Sequence, residues 1–227
     1  MRAPTLLTSA ALVGALVAPA AAEAAPSPAD AAVITKTQAQ KLANAGVVKK
    51  TDVRGFTAQK YVADPSDDQF DQELYQCLGG KPPKEVASKH GPTLFKDNVR
   101  IGSSAWVIST VKGAKADAKL SQSPKAPRCL KKAMTASIER DGGVVELIRL
   151  KPITMTVAGA DVAFGIRYEI YAAVDDVSIS MLGYDLNALV GQTELNVGSS
   201  RYNGPFPNLT QSKALLAKTV KRVRALT

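Results

Sequence analysis

Apolar and polar positions along this chain keep two rhythms, and the switches between them mark its elements. Residues 98–111 alternate. Val99, Ile101, Ser103, Ala105 and Val107 share one side, and Arg100, Gly102, Ser104, Trp106 and Ile108 the other, which is the period of a long strand. Val162, Phe164, Ile166, Tyr168 and Ile170 alternate in the same way with Ala163, Gly165, Arg167 and Glu169. A strand over 144–150, resuming at 153–157, is broken by Pro152, which predicts an edge position or a bulge. After the turn Asp175-Asp176 the apolar residues sit on odd positions (Val177, Ile179, Met181) and then on even ones (Leu182, Tyr184, Leu186). The change of phase near Gly183 predicts a bulge or a strand end. A last strand is expected over 189–197 and a loop over 199–207.

The helical rhythm appears between these strands. A short helix is expected from an N-cap at Thr37 to a stop at Gly46. A second opens at Ser66, with Gln69 completing a capping box, and places Phe70, Leu74 and Cys77/Leu78 on one face. Gly79-Gly80 and Pro82-Pro83 end it, and 79–97 reads as a polar loop containing His90. Two further helices are expected over 113–120 and 127–140. A final one over 209–225, capped by Asn208, carries Leu209, Leu216, Val220 and Val223 as its packing stripe. The order predicts an α+β fold in which helices cover one face of an antiparallel sheet of about four to five strands.

The first 24 residues obey neither rhythm. A basic start (Arg2), a short apolar run through Leu6–Val17, Pro19 and the close Ala22-Glu23-Ala24 describe a cleavable export leader. The Ala- and Pro-rich stretch 25–36 reads as a flexible tail, so 37–227 is expected to be a single folded unit. Export gives the two cysteines a meaning. Outside the cytosol Cys77 and Cys129 are expected to form a disulfide tying the second helix to the fourth, with no thiol left to bind metal or attack a substrate.

Composition is that of an ordinary globular chain: 45% hydrophobic and 22% charged, with a net charge of +9. The excess charge is scattered. Its densest piece is Lys213, Lys218, Lys221, Arg222 and Arg224 on the last helix, where cations favour the helix C-terminus. Any pull toward anionic cell-wall polymers is therefore expected to be weak, and no nucleic-acid partner is indicated.

Candidate chemistry is sparse. His90 is the only histidine and could serve alone as a neutral-pH base, but its polar setting between Lys89 and Gly91 reads as a surface spacer. Gly102-Ser103-Ser104 and Gly198-Ser199-Ser200 lack the closing glycine of a nucleophile elbow. One histidine and a cystine leave no zinc set, and Asp67, Asp68 and Asp71 read as helix-start charges rather than calcium ligands. No catalytic, cofactor or metal residue is therefore assigned, and no cofactor is expected. Tyr184, Tyr202 and Phe206 could rim a pocket near the last loop, but read first as ordinary sheet and loop packing. Carboxylate-based hydrolysis has no fixed spacing and stays open.

Gln76-Cys77-Leu78, Arg128-Cys129-Leu130, the long strand between them and the helix ending Lys221-Arg222-Val223-Arg224 together resemble the secreted and lipoprotein-type sensor domains of actinobacteria, a group that includes the extracellular domain of a mycobacterial kinase. The resemblance is one of layout over most of 37–226. The chain departs from it in having one cysteine pair rather than two and no lipid-anchor cysteine. It implies a secreted, non-catalytic ligand-binding or sensor-type domain with an unknown ligand. Two other readings stand beside it: an exported hydrolase acting on wall or sugar polymers through carboxylates, and an interaction or inhibitor module docking through 199–207.

Overall fold

The computed structural model describes residues 34–175 and 177–227, without the side chains of Pro65 and Ser66. The leader expected over 1–24, residues 25–33 of the tail expected over 25–36, and the Ser66 capping contact lie outside that set. Five helices and eight strands follow in the order α1 (Lys36–Ala45), β1 (Thr57–Gln59), α2 (Pro65–Leu78), β2 (Glu85–His90), β3 (Thr93–Lys96), β4 (Val99–Ile108), α3 (Val111–Ser121), α4 (Ala126–Arg140), β5 (Val144–Thr154), β6 (Val162–Val174), β7 (Val177–Val190), β8 (Thr193–Tyr202) and α5 (Leu209–Arg224).

All the strands join one antiparallel sheet ordered β1-β3-β4-β8-β7-β6-β5, with β2 also paired to β4. The fold is α+β as expected, but the sheet has eight strands rather than four to five. The three additional strands, β1, β2 and β3, are short pieces beside β4 that alternation cannot reveal. β2 and β3 lie end to end along the same side of β4, where a polar loop was expected, and Gly91-Pro92 separates them. The Gly91 amide still donates to the Ser103 carbonyl, and a Cβ there would press on the Ser103 hydroxyl, so only glycine fits. The span 189–197, expected as one strand, instead contains a hairpin. Gly191, at φ +61, turns the chain between Val190 and Thr193, and β8 then runs on to Tyr202 through part of the expected loop.

Helices cover both faces, not one. On one face Leu216, Val220 and Val223 of α5 and Ala39, Leu42 and Ala43 of α1 pack against Ile101, Val107, Leu186 and Leu195. On the other, Phe70 and Leu74 of α2 and Leu130, Met134 and Ile138 of α4 pack against Ile148, Ile166 and Ile170. α3 closes on the same side over Ile108 and Leu189.

Two-sided cover also explains the phase change in β7. Its register with β6 and β8 is unbroken through Gly183, so there is no bulge. Met181 meets the α2–α4 side, while Tyr184 and Leu186 meet the α1–α5 side. The apolar set changes sides because the covering helix changes. Gly183 is glycine because any Cβ would collide with the Tyr168 ring. β5 is indeed at the sheet edge, where Pro152 costs no ladder bond on its open side, and its one register shift falls between Val145 and Leu147.

α1 begins two residues earlier than expected. Thr35 is the N-cap, and its side chain and Gln38 form a reciprocal capping box. Asn208 caps α5 as anticipated, accepting from the Gln211 amide. Cys77 and Cys129 are bonded, with their Cα atoms 5.5 Å apart, and fasten α2 to α4.

Candidate functional site

The face of the sheet under α2, α3 and α4 is not a uniform oily core. Side chains alternate across each strand, so registered neighbours form rows. One row runs Trp106 (β4), Glu194 (β8), Leu189 (β7). The next runs Ser104, Asn196, Asn187 and Phe164. Beyond it lie Gly198 and Asp185. Buried polar groups in the middle of a sheet cost stability unless they are bonded, so their concentration here marks the face.

A cavity of about 80 Å³ opens over the first two rows. α2 supplies Asp71, Leu74 and Tyr75, spaced i, i+3, i+4 so that they share one helix face. α3 supplies Asp117 and Ser121, again one turn apart, and β2 supplies Glu85 at the rim. Trp106, Ile108, Leu74, Phe164 and Leu189 make the apolar wall. A single buried water occupies roughly 10–15 Å³ measured this way, so the space holds several waters or one small head group.

Electrostatics in the cavity are one-sided. Burial, then the charges of Asp117 and Glu85, then a hydrogen bond to Asp117 push Glu194 up to about 9. Glu194 therefore keeps its proton at neutral pH and donates it to Asp117. Asp117 also accepts the Tyr75 hydroxyl at 2.7 Å; burial raises it, and these two bonds offset only part of the rise. Asp71 at the mouth is largely open to solvent, yet desolvation of its carboxyl and the nearby charges of Asp67, Glu85, Asp68 and Asp117 push it up to about 7. Burial also raises Glu85. Glu194 Oε1 is enclosed and has no hydrogen-bond partner.

Behind the cavity the polar row is knit together. Asn196 Nδ2 donates to Asp185 Oδ1 and, at 3.0 Å, to Asn187 Oδ1, and Asn187 Nδ2 reaches Asp185 Oδ1 at 3.3 Å. Burial raises Asp185 well above the usual carboxylate range, against the pull of the Asn196 bond. Asn196 Oδ1 is left without a partner, although Asn196 is 1% exposed.

His90 is not a surface spacer in a loop. It ends β2, half-buried, with Nδ1 2.8 Å from the Ser104 hydroxyl. Its ring stacks on Tyr61 at 4.2 Å and meets the Trp106 edge at 6.0 Å. Burial holds its pKa below the usual value, which favours the neutral ring. It props the tryptophan wall and faces none of the carboxylates that line the cavity.

The other expected features are structural. Arg222 binds the Ala45 and Val47 carbonyls and Asp52; Arg224 binds the Gly159 carbonyl and Asp161; Lys218 reaches the Asp52 carbonyl. Much of the basic end of α5 is thus fastened to the fold. Tyr184 packs on Phe206 at 5.4 Å, and the Arg167 guanidinium lies 3.9 Å over the Phe206 ring. Asp67 accepts from Tyr61 at 2.7 Å. Among the described residues, no helix is long and apolar enough to cross a membrane.

Fold and site together define a helix-covered antiparallel sheet enclosing a small, acidic, tryptophan-walled cavity. No family model matches the chain, and no curated protein matches it. Solved structures to which it is similar include the extracellular domain of PknH from Mycobacterium tuberculosis, at 10% identity and a TM-score of 0.42, over 86% of this chain and 98% of that one. Another is an uncharacterized protein of Mycobacterium smegmatis, the Rv0999 ortholog, at 11% identity and a TM-score of 0.43, over 82% of this chain and 98% of that one.

Proposed function

We propose that this chain is an exported, non-catalytic ligand-binding module of the sensor type, acting at the cell surface as one unit over 37–227, and that the cavity between α2, α3 and the sheet is its site. The observation that carries the reading is the cavity's construction. A largely aromatic and aliphatic wall faces a few convergent polar groups held on helices and strands, the usual make-up of a small-molecule pocket. The Cys77–Cys129 bond and the leader-like first 24 residues support export.

One observation bears on the hydrolase reading: of the four acids lining the cavity, Asp117 and Glu194 converge. They are hydrogen-bonded to each other, whereas glycoside hydrolysis needs its carboxyls about 5–9.5 Å apart with the scissile bond between them. Their contact supports binding over cleavage.

The test is untargeted capture. Oxidised protein is incubated with a small-molecule extract, washed, and released for mass spectrometry. A compound retained by the wild-type chain and lost when Ala118→Leu fills the cavity supports the reading. Equal retention by both proteins, or none by either, contradicts it.

A further inference from the structure

This inference rests on the ligand-binding reading and names the chemistry of the ligand. The unmet hydrogen-bonding capacity at the site is all of one kind. Glu194 Oε1 and Asn196 Oδ1 are both enclosed, both acceptors, and both without a partner. They belong to one sheet face, two residues apart on β8, and Asn196 is bonded to Asn187, which lines the cavity. Open space continues along that face, since a Cβ placed on Gly198 would meet nothing within 4 Å. A ligand satisfying these atoms must bring donors.

Charge points the same way. The ionisable groups facing the cavity are Asp71 and Tyr75 from α2, Glu85 from β2, Asp117 from α3 and Glu194 from β8, and no cation is among its lining residues. Yet no group of three or more His, Cys, Asp or Glu among the described residues could hold a metal ion. Trp106, Leu189 and Ile108 would reward an apolar stem, and an indole face attracts a cation.

We propose that the cavity takes a compact organic cation, an alkylammonium or alkylguanidinium, whose N–H groups meet Glu194 Oε1 and the acceptors behind it while its stem lies against Trp106 and Leu189. The cation replaces the proton that Glu194 carries when the site is empty. Binding therefore releases a proton, and affinity rises with pH by up to about tenfold per unit until Glu194 ionises unaided.

The probes are n-butylamine and agmatine, with n-butanol and butyrate as neutral and anionic counterparts, followed by saturation-transfer NMR on the oxidised protein. The two cations are expected to bind at least about tenfold more tightly than the alcohol or the acid. Calorimetry in buffers of different ionisation heat is expected to show proton release. Glu194→Gln keeps a donor to Asp117, so it should fold, as a thermal melt would verify, and lose the cation preference. Butanol binding as tightly as butylamine, affinity that ignores pH, or a folded Glu194→Gln that binds the cations undiminished overturns the proposal. Those results leave the cavity as a binding site, because extract capture blocked by Ala118→Leu is read independently. If none of the four probes binds, the cation proposal fails as well.

Discussion

The Tyr75 hydroxyl donates to Asp117 Oδ1 at 2.7 Å, joining α2 to α3 across the cavity. Few other contacts tie these helices together, since the main partner of α2 is α4. Tyr75→Phe removes the donor and leaves Asp117 with Glu194 as its remaining side-chain donor. We expect a loss of about 1–2 kcal/mol in urea unfolding, together with weaker ligand capture. Unchanged stability and capture would show that the bridge does not hold the site.

The disulfide acts on the same helix from its other end. Cys77 lies one residue before the end of α2, whose Asp71, Leu74 and Tyr75 line the cavity. Replacing Cys77 and Cys129 together by serine is expected to cost about 4 kcal/mol, the loop-closure value for a separation of this size. If α2 is held as the structure shows, capture should fall further than global stability alone explains.

Stability should decline toward both ends of the pH scale, for opposite reasons. Glu194 is raised in the folded chain from its ordinary 4.5 to about 9, so its proton is bound more tightly when folded. Its contribution is greatest below about 4.5 and is lost as pH rises toward 9, by at most about 1.4 kcal/mol per pH unit. Burial works to raise Asp52 and Asp161 too. In Asp52 the Lys49 amide and Arg222 more than reverse that; in Asp161 the Gly191 amide and Arg224 do so. These two pairs stabilise above the ordinary carboxylate value of 3.8 and are lost as pH falls below it. Guanidinium melts from pH 3 to 9 should show both declines, and Glu194→Gln should flatten only the alkaline one.

Arg222 fastens α5 to the end of α1 and to Asp52, reaching the Val47 carbonyl at 2.7 Å. Arg222→Ala leaves two carbonyls and a half-buried carboxylate without this partner. We expect a cost of about 1–3 kcal/mol, with ligand capture intact because the site is on the opposite sheet face. Lys221→Ala, one residue away and exposed, is the neutral control.

β4, β6, α2, α4 and α5 were legible because each buries an uninterrupted stripe. β2 and β3 were not, because they are short, are cut apart by Gly91-Pro92 and carry exposed Lys89 and Lys96 where alternation would need apolar residues. The site was invisible as a motif, since its acids are spread from Asp71 to Glu194 and only folding collects them. Two signals were present all the same. Asp117 lies on the helix face that carries Ala114, Ala118 and Ser121, and Glu194 shares a strand face with Asn196, both carboxylates set among residues that a buried surface selects. The cystine, by contrast, was readable from two residues and a location.

Trp106 is the chain's only tryptophan and part of the cavity wall, so its emission reports on this site alone. The most direct measurement is a fluorescence titration of the oxidised protein with the small-molecule extract used for capture. Binding in the cavity predicts a saturable change in Trp106 emission that disappears in folded Ala118→Leu. A retained compound that leaves the indole spectrum unmoved would contradict the placement of the site.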